Sequence, residues 1–239
     1  MRSMPRTAVF LLLCLSLPLH AIGDPLWQKA VEISRANKAW TFNGAGFRIE
    51  LLDDKGGIQE TFESWYRFSP GADGAMAMEV VRSARNGEDT TAKDRDAQNK
   101  RNADARRRGG SQPFGMGDDP FDPALQGSVE ARPRGDTRVI AARECALYEF
   151  RLLKKDKSVL SGTAWLDIRT GAPVEASYTA APLPRGVFEM RTTMRYGPGP
   201  RGDGWLTGVS VEGVGGILFL RKSFRVMVTL EGFQPSGAS

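Results

Sequence analysis

The side chains able to do chemistry are few and unevenly placed. The 239-residue chain has one histidine, His20, and two cysteines, Cys14 and Cys145. His20 and Cys14 both fall in the first 23 residues, which read as an export signal. Arg2 and Arg6 form its basic start, and Ala8 to Leu19 is an apolar run too short for a comfortable membrane span. Ala21 and Gly23 offer small residues for cleavage. Leu13 stands before Cys14 where a lipoprotein cleavage site needs a small residue, so a soluble, processed protein is expected. Loss of residues 1–23 leaves no histidine and a single thiol. That excludes Ser-His-Asp and Cys-His catalysis, histidine-ligated zinc or copper, thiolate metal clusters and an internal disulfide. Cys145 opens the run CALYEFRLL and reads as a small half-buried strand residue. Carboxylate or lysine chemistry and carboxylate-bound calcium remain. Asp53-Asp54 and Asp118-Asp119 lie at turns and read as solvated pairs. No EF-hand loop, phosphate-binding loop or dinucleotide fingerprint is present. The expectation is a protein that is not an enzyme, with no cofactor and no metal. A carboxylate-dependent hydrolase stays open as an alternative, because paired acids can meet only in the fold.

Charge and composition narrow the partners. The 33 basic residues, less Arg2 and Arg6, face 28 acidic ones, a formal +3 once the signal is gone. Gly 27 and Pro 14 make a turn-rich chain suited to many short strands. The densest basic stretch is Lys93 to Arg108, where acids interleave and aromatics do not. Nucleic acid is therefore not an expected partner, and a solvated flexible insertion is the better reading. Arg201-Gly202-Asp203 is an adhesion-type tripeptide that carries little weight in a glycine-rich loop.

The elements that would position any site follow from periodicity. Asp24-Pro25 is a helix start, and Leu26, Ala30, Ile33 and Ala36 recur at helical spacing through LWQKAVEISRANKAW. From Gly44 the period is two: Phe47, Ile49 and Leu51, then Phe62, Tyr66 and Phe68 with Trp65 outward, then Met76, Met78 and Val80. Residues 86–134 break the pattern as a basic, Gly- and Pro-rich insertion. Phe114, Phe121 and Leu125 make it a lid candidate. Alternation resumes at Thr137 and passes through Tyr148, Phe150 and Leu152. The clearest hairpin is Val159 to Ala181, turning at Arg169-Thr170-Gly171. Phe188, Met190, Met194 and Tyr196 share a later face. A last strand spans Ile217 to Phe233, with Lys222 alone among the apolar residues of its face.

About ten strands and one helix predict a single mainly-β domain over 24–239. The spacing suits a sandwich or barrel, and the expected form is a strongly curved antiparallel sheet with the N-terminal helix across its concave face and the 86–134 insertion as a lid candidate. Its candidate cavity residues are Phe62, Tyr66, Phe68, Met76, Met78, Tyr148, Phe150, Phe188, Met190 and Met194. Methionine among aromatics suits an adaptable pocket, but the same residues also serve a closed core.

The export signal, the Trp-containing first helix, FNGAGFRIELLD, SGTAWLDIRTGAPVEASYTAAPLP and GGILFLRKSFR together resemble the LolA-type periplasmic carrier superfamily, which includes outer-membrane lipoprotein-sorting proteins. The most specific match is Trp165-Leu166-Asp167 followed by Thr170-Gly171-Ala172-Pro173. The resemblance implies an unclosed barrel with a helical lid and a hydrophobic cavity. Its ligand would be acyl chains of a lipid or lipoprotein, bound by a periplasmic carrier or sensor with an inner- or outer-membrane envelope protein as partner. An envelope interaction module without a lipid ligand is the alternative. The long basic insertion departs from the compact carriers.

Overall fold

The computed structural model describes residues 24–70, 76–107, 118–217 and 220–236. The signal read at residues 1–23 and the lid candidate Phe114 lie outside these described residues.

A first helix, α1 (Pro25–Asn37), starts where the sequence places it. The Asp24 carboxylate accepts from the Leu26 and Trp27 N–H groups at 2.9 and 3.3 Å, and Pro25 takes the first helical position. The helix stops before Trp40, which enters the short strand β1 (Trp40–Thr41). Then come β2 (Gly44–Leu52), β3 (Ile58–Pro70), β4 (Met76–Arg85), β5 (Glu88–Asp89) and α2 (Thr91–Arg107). A strap at 118–128 ends in a 3-10 turn and leads into β6 (Val129–Ile140), β7 (Arg143–Leu153), β8 (Val159–Asp167) and β9 (Pro173–Ala181). The chain closes with β10 (Val187–Gly199), β11 (Gly202–Ile217), β12 (Leu220–Glu231) and β13 (Gln234–Pro235).

Eleven strands form one antiparallel sheet in the order β5-β4-β3-β2-β12-β11-β10-β9-β8-β7-β6, which does not close on itself. β1 and β13 make a separate two-stranded ribbon. The mainly-β unclosed sheet with an N-terminal helix is as expected. It consists of two meanders, β2 to β5 and β6 to β12, joined by a single non-sequential seam, β12 against β2. The last strand is shorter than predicted. β11 already runs to Ile217, and the expected Ile217–Phe233 strand starts at Leu220. β6 also starts earlier than Thr137, because pairing with β7 carries it through Val129 to Pro133 despite its polar sequence.

The β8–β9 hairpin turn is built as its residues demand. Asp167 Oδ1 accepts from the Arg169 and Thr170 N–H groups at 2.8 and 2.9 Å, and the Gly171 N–H donates to the Asp167 carbonyl. Burial opposes ionisation of Asp167, but these N–H bonds outweigh it and hold the carboxyl below its usual range. Gly171 has φ +76°, and a Cβ there would lie 2.5 Å from Lys29 Cβ on α1. The turn thus needs glycine both for its backbone and for the helix docked on it.

Residues 86–134, read above as one flexible insertion, contain β5, α2, the strap and the start of β6. α2 has no apolar stripe and docks on β4 by polar contacts instead. The Arg95 guanidinium donates to the Val80 carbonyl and the Asn102 amide to the Met78 carbonyl. Asp94 accepts from the hydroxyls of Ser83 and Thr90, which hold its carboxyl below the usual range.

Candidate ligand-binding site

Strand register sorts the side chains onto two faces. The inner face carries α1. Over β7 to β11 it is filled. Trp27, Ala30 and Val31 of α1 pack with Tyr148, Phe150, Leu152, Leu166, Ala176, Tyr178, Met194 and Tyr196 of the sheet. The strap completes this core. Phe121 is 0% exposed, with its ring centroid 4.8 Å from Trp27 and 5.7 Å from Tyr196. The strap is tied at both ends and in the middle. Asp118 pairs with Lys154 at 2.8 Å and Asp122 with Lys38 at 2.7 Å. Gln126 accepts from the Trp27 indole N–H at 3.1 Å. Asp119 accepts from the Phe121 N–H at 2.9 Å and the Tyr196 hydroxyl at 3.0 Å. Loss of solvation pushes the Asp119 carboxyl up to about 6 against those two bonds. The Tyr196 hydroxyl is raised in turn by its burial and by the neighbouring Asp119.

A second, smaller core lies at the other end of the inner face. It is formed by Ala45, Phe68 and Leu230, with Phe42, Phe47, Tyr66 and Met78 against them. The two cores meet at Leu206 and Val228, and beyond that junction the inner face carries apolar residues that, among the described residues, belong to neither: Ile49, Leu51, Phe62, Phe224 and Val226. They are register partners, with Ile49 opposite both Val226 and Phe62, and Leu51 opposite Phe224. Four of them are half-buried, and Ile49 is 37% exposed.

Beside this floor the sheet has an opening. β9 and β10 pair only from Glu175/Arg195 to Tyr178/Thr192 and then part. A hollow of about 640 Å³ lies at the mouth of this wedge, within the size range of small-molecule sites. Its wall combines apolar Leu52, Leu183, Met190, Val214 and Phe224 with charged Glu189, Arg191, Glu212 and Arg225.

The ten sequence candidates are distributed over these regions rather than gathered in one cavity. Tyr148, Phe150 and Met194 are in the filled core, and Tyr66, Phe68 and Met78 in the smaller one. Phe62 is on the open floor, with the Arg85 guanidinium 4.9 Å above its ring, and Met190 lines the hollow. Phe188 falls at a register shift in β10, is 42% exposed and stacks under Arg221 at 4.6 Å. Met76 stands opposite Pro70 in β4, and its side chain is outside the described residues. Ile49, Leu51, Phe224 and Val226 were not singled out as cavity residues. Their alternation was visible, but only cross-strand register shows which of them the cores leave uncovered.

The outer face is charged and internally paired. Glu63, Arg48, Glu50, Arg225 and Glu212 form a continuous ion-pair ladder across β3, β2, β12 and β11, with links of 2.8 to 3.1 Å. Glu50 at its centre is only 3% exposed. Trp65 points outward as expected, under Arg82, and Trp165 lies under Arg138. Cys145 is buried, and its thiol is pushed up by burial and by nearby Asp167. Among the described residues no group of three or more His, Cys, Asp or Glu side chains comes together as a metal site would require.

No family model matches the chain, and no curated protein matches it. Several solved structures are similar to it. One is a LolA superfamily protein, NE2245, from Nitrosomonas europaea, at 8% identity and TM-score 0.40, covering 90% of this chain and 93% of that one. Another is a putative outer membrane lipoprotein-sorting protein domain from Vibrio parahaemolyticus, at 7% identity and TM-score 0.36, covering 87% and 93%. A third is a DUF1329 family protein from Desulfovibrio piger, at 9% identity and TM-score 0.37, covering 88% and 91%. The solved structures similar to this chain include a protein of the superfamily that its sequence resembles.

Proposed function

We propose that the protein is an exported binding protein, a carrier or sensor. Its open inner face takes the acyl chain of a lipid or lipoprotein. The observation that carries this reading is the apolar floor of Ile49, Leu51, Phe224 and Val226, which neither core covers among the described residues, next to the hollow at the β9–β10 wedge. These side chains keep part of their apolar surface exposed among the described residues, and a ligand laid over them would remove that area from water. Burial of an acyl chain on such a floor gains about 0.8 kcal/mol per methylene. The hollow runs through the β9–β10 gap from inner-face Met190 and Phe224 to outer-face Arg191, Glu189 and Glu212, which suits an amphiphile whose chain lies on the floor and whose polar end reaches those charges through the gap. The reading of residues 1–23 as an export signal and the superfamily resemblance support the periplasm as the compartment.

The test uses a fluorescent C16 fatty acid titrated into the purified chain, with mass spectrometry of any lipid that co-purifies. Saturable binding is expected. Phe224→Glu and Val226→Glu place a charge on the floor and are expected to weaken it about tenfold or more. Neither residue belongs to a core, so folding should survive. Unchanged binding in both variants, or no binding by the parent chain, would sink the proposal.

A further inference from the structure

We infer that the wedge between β9 and β10 is a strand-addition site for an extended peptide segment of a protein partner. Continuing the β9–β10 register would set Arg191 opposite Thr179, Met190 opposite Ala180 and Glu189 opposite Ala181. None of these pairs forms, yet both segments are regular strand paired on their far sides. Thr179, Ala180 and Ala181 pair with Ser161, Leu160 and Val159 of β8. Glu189, Met190 and Arg191 pair with Val214, Gly213 and Glu212 of β11. Each strand therefore turns an unmatched edge toward the same hollow, which Thr179 and Ala180 wall on one side and Glu189, Met190 and Arg191 on the other. The loop between them does not bridge the gap. Gly186 is bonded to Gly216 of β11 instead, through the Gly216 N–H.

The other edges of the sheet are guarded, and this one is not. β6 carries Pro133, a register break before Thr137, and Arg132, Arg134 and Arg138, all of which oppose further pairing. The β4 edge is covered by α2, whose Arg95 and Asn102 occupy its Val80 and Met78 carbonyls. Among the described residues, no proline stands in the Thr179–Ala181 or Glu189–Arg191 segment, and no helix residue lines the hollow. An edge pair open on both sides lets one added strand hydrogen-bond in two directions. The walls also state the chemistry of the guest. Ala180 and Met190 share one face and call for apolar residues. Thr179, Glu189 and Arg191 share the other and call for polar residues, with a base set against Glu189 and an acid against Arg191.

The inference does not rest on the acyl reading, although both use the hollow. The probe is a panel of fluorescein-labelled octapeptides that alternate valine with threonine, lysine or glutamate. Binding to the purified chain is followed by anisotropy, with the fatty acid measured in parallel. Saturable binding by members carrying both charges is expected. It should weaken about tenfold or more when alternate peptide amides are N-methylated, because the backbone bonds are then lost while side chains stay the same. In a Thr179→Cys, Arg191→Cys double variant, oxidation staples the first missing pair and should abolish peptide binding, and reduction should restore it. No saturable binding up to about 1 mM, or binding indifferent to both N-methylation and the staple, overturns the inference. Either result leaves the fatty-acid titration to be judged separately.

Discussion

Replacing Asp119 by asparagine should remove a specific pH dependence from the stability of the protein. The folded chain holds the Asp119 carboxyl at about 6, against an ordinary 3.8, chiefly because solvation is lost beneath the strap. The folded state therefore binds this proton more tightly than the unfolded state. Its contribution is fully present below pH 3.8, falls as pH rises through the interval to about 6, and is absent above. A shift of this size corresponds to roughly 3 kcal/mol at about 1.4 kcal/mol per unit. The asparagine amide oxygen can still accept from the Phe121 N–H and the Tyr196 hydroxyl, so the strap keeps its geometry without the charge. Other carboxyls, such as Asp94 and Asp167, are shifted downward and act in the opposite sense. The informative quantity is thus the difference between Asp119→Asn and the parent chain. Urea unfolding from pH 4 to 7.5 should show the variant gaining on the parent by roughly 2 to 3 kcal/mol across that range, with little further change above pH 6.5. A difference that stays flat with pH, or runs the other way, would refute the claim that Asp119 is desolvated by the closed strap.

Three further outcomes follow from the packing. Phe121→Ala should cost about 3–5 kcal/mol by urea unfolding, as for other buried aromatics, and should speed amide exchange in 118–128. A loss under about 1 kcal/mol would mean the strap is not part of the core. Gly171→Ala should lower stability by about 1–3 kcal/mol, because it adds a Cβ against Lys29 at a positive φ. A neutral result by thermal melting would contradict the docking of α1 on this turn. Glu50→Gln should destabilise by about 1–3 kcal/mol, because Arg48 and Arg225 lose their shared carboxylate. A denaturation midpoint equal to that of the parent would show that the ladder is unimportant.

Much of the architecture was legible because it depends on local chemistry. Asp24-Pro25 announced the helix, two-residue alternation announced the strands, and Asp167 with Gly171 announced the hairpin. What could not be read depends on partners distant in sequence. Ile49 alternates like any half-buried residue, and its place on an uncovered floor exists only because β12 lies beside β2. The wedge needs the register of β9 against β10 and the failure of that register after Tyr178. Phe121 is legible only as part of a lid candidate, because it sits in a Gly- and Pro-rich stretch with no period from which its complete burial against Trp27 could be read. α2 escaped for a different reason. Hydrophobic periodicity cannot detect a helix that docks through Arg95, Asn102 and Asp94.

The β12–β2 seam also sets the order in which the chain can fold. Every other neighbour in the large sheet is consecutive along the chain, so both meanders can form from local hairpins. The seam brings Ser223 to Leu52 and Glu231 to Gly44, almost the full length of the described chain, and its loop-closure entropy is offset only once both meanders stand ready. The first meander must wait with the β2 edge unpaired until the final strand arrives. A chain ending before Leu220 would keep that edge exposed, a template for self-association rather than a half-built receptor.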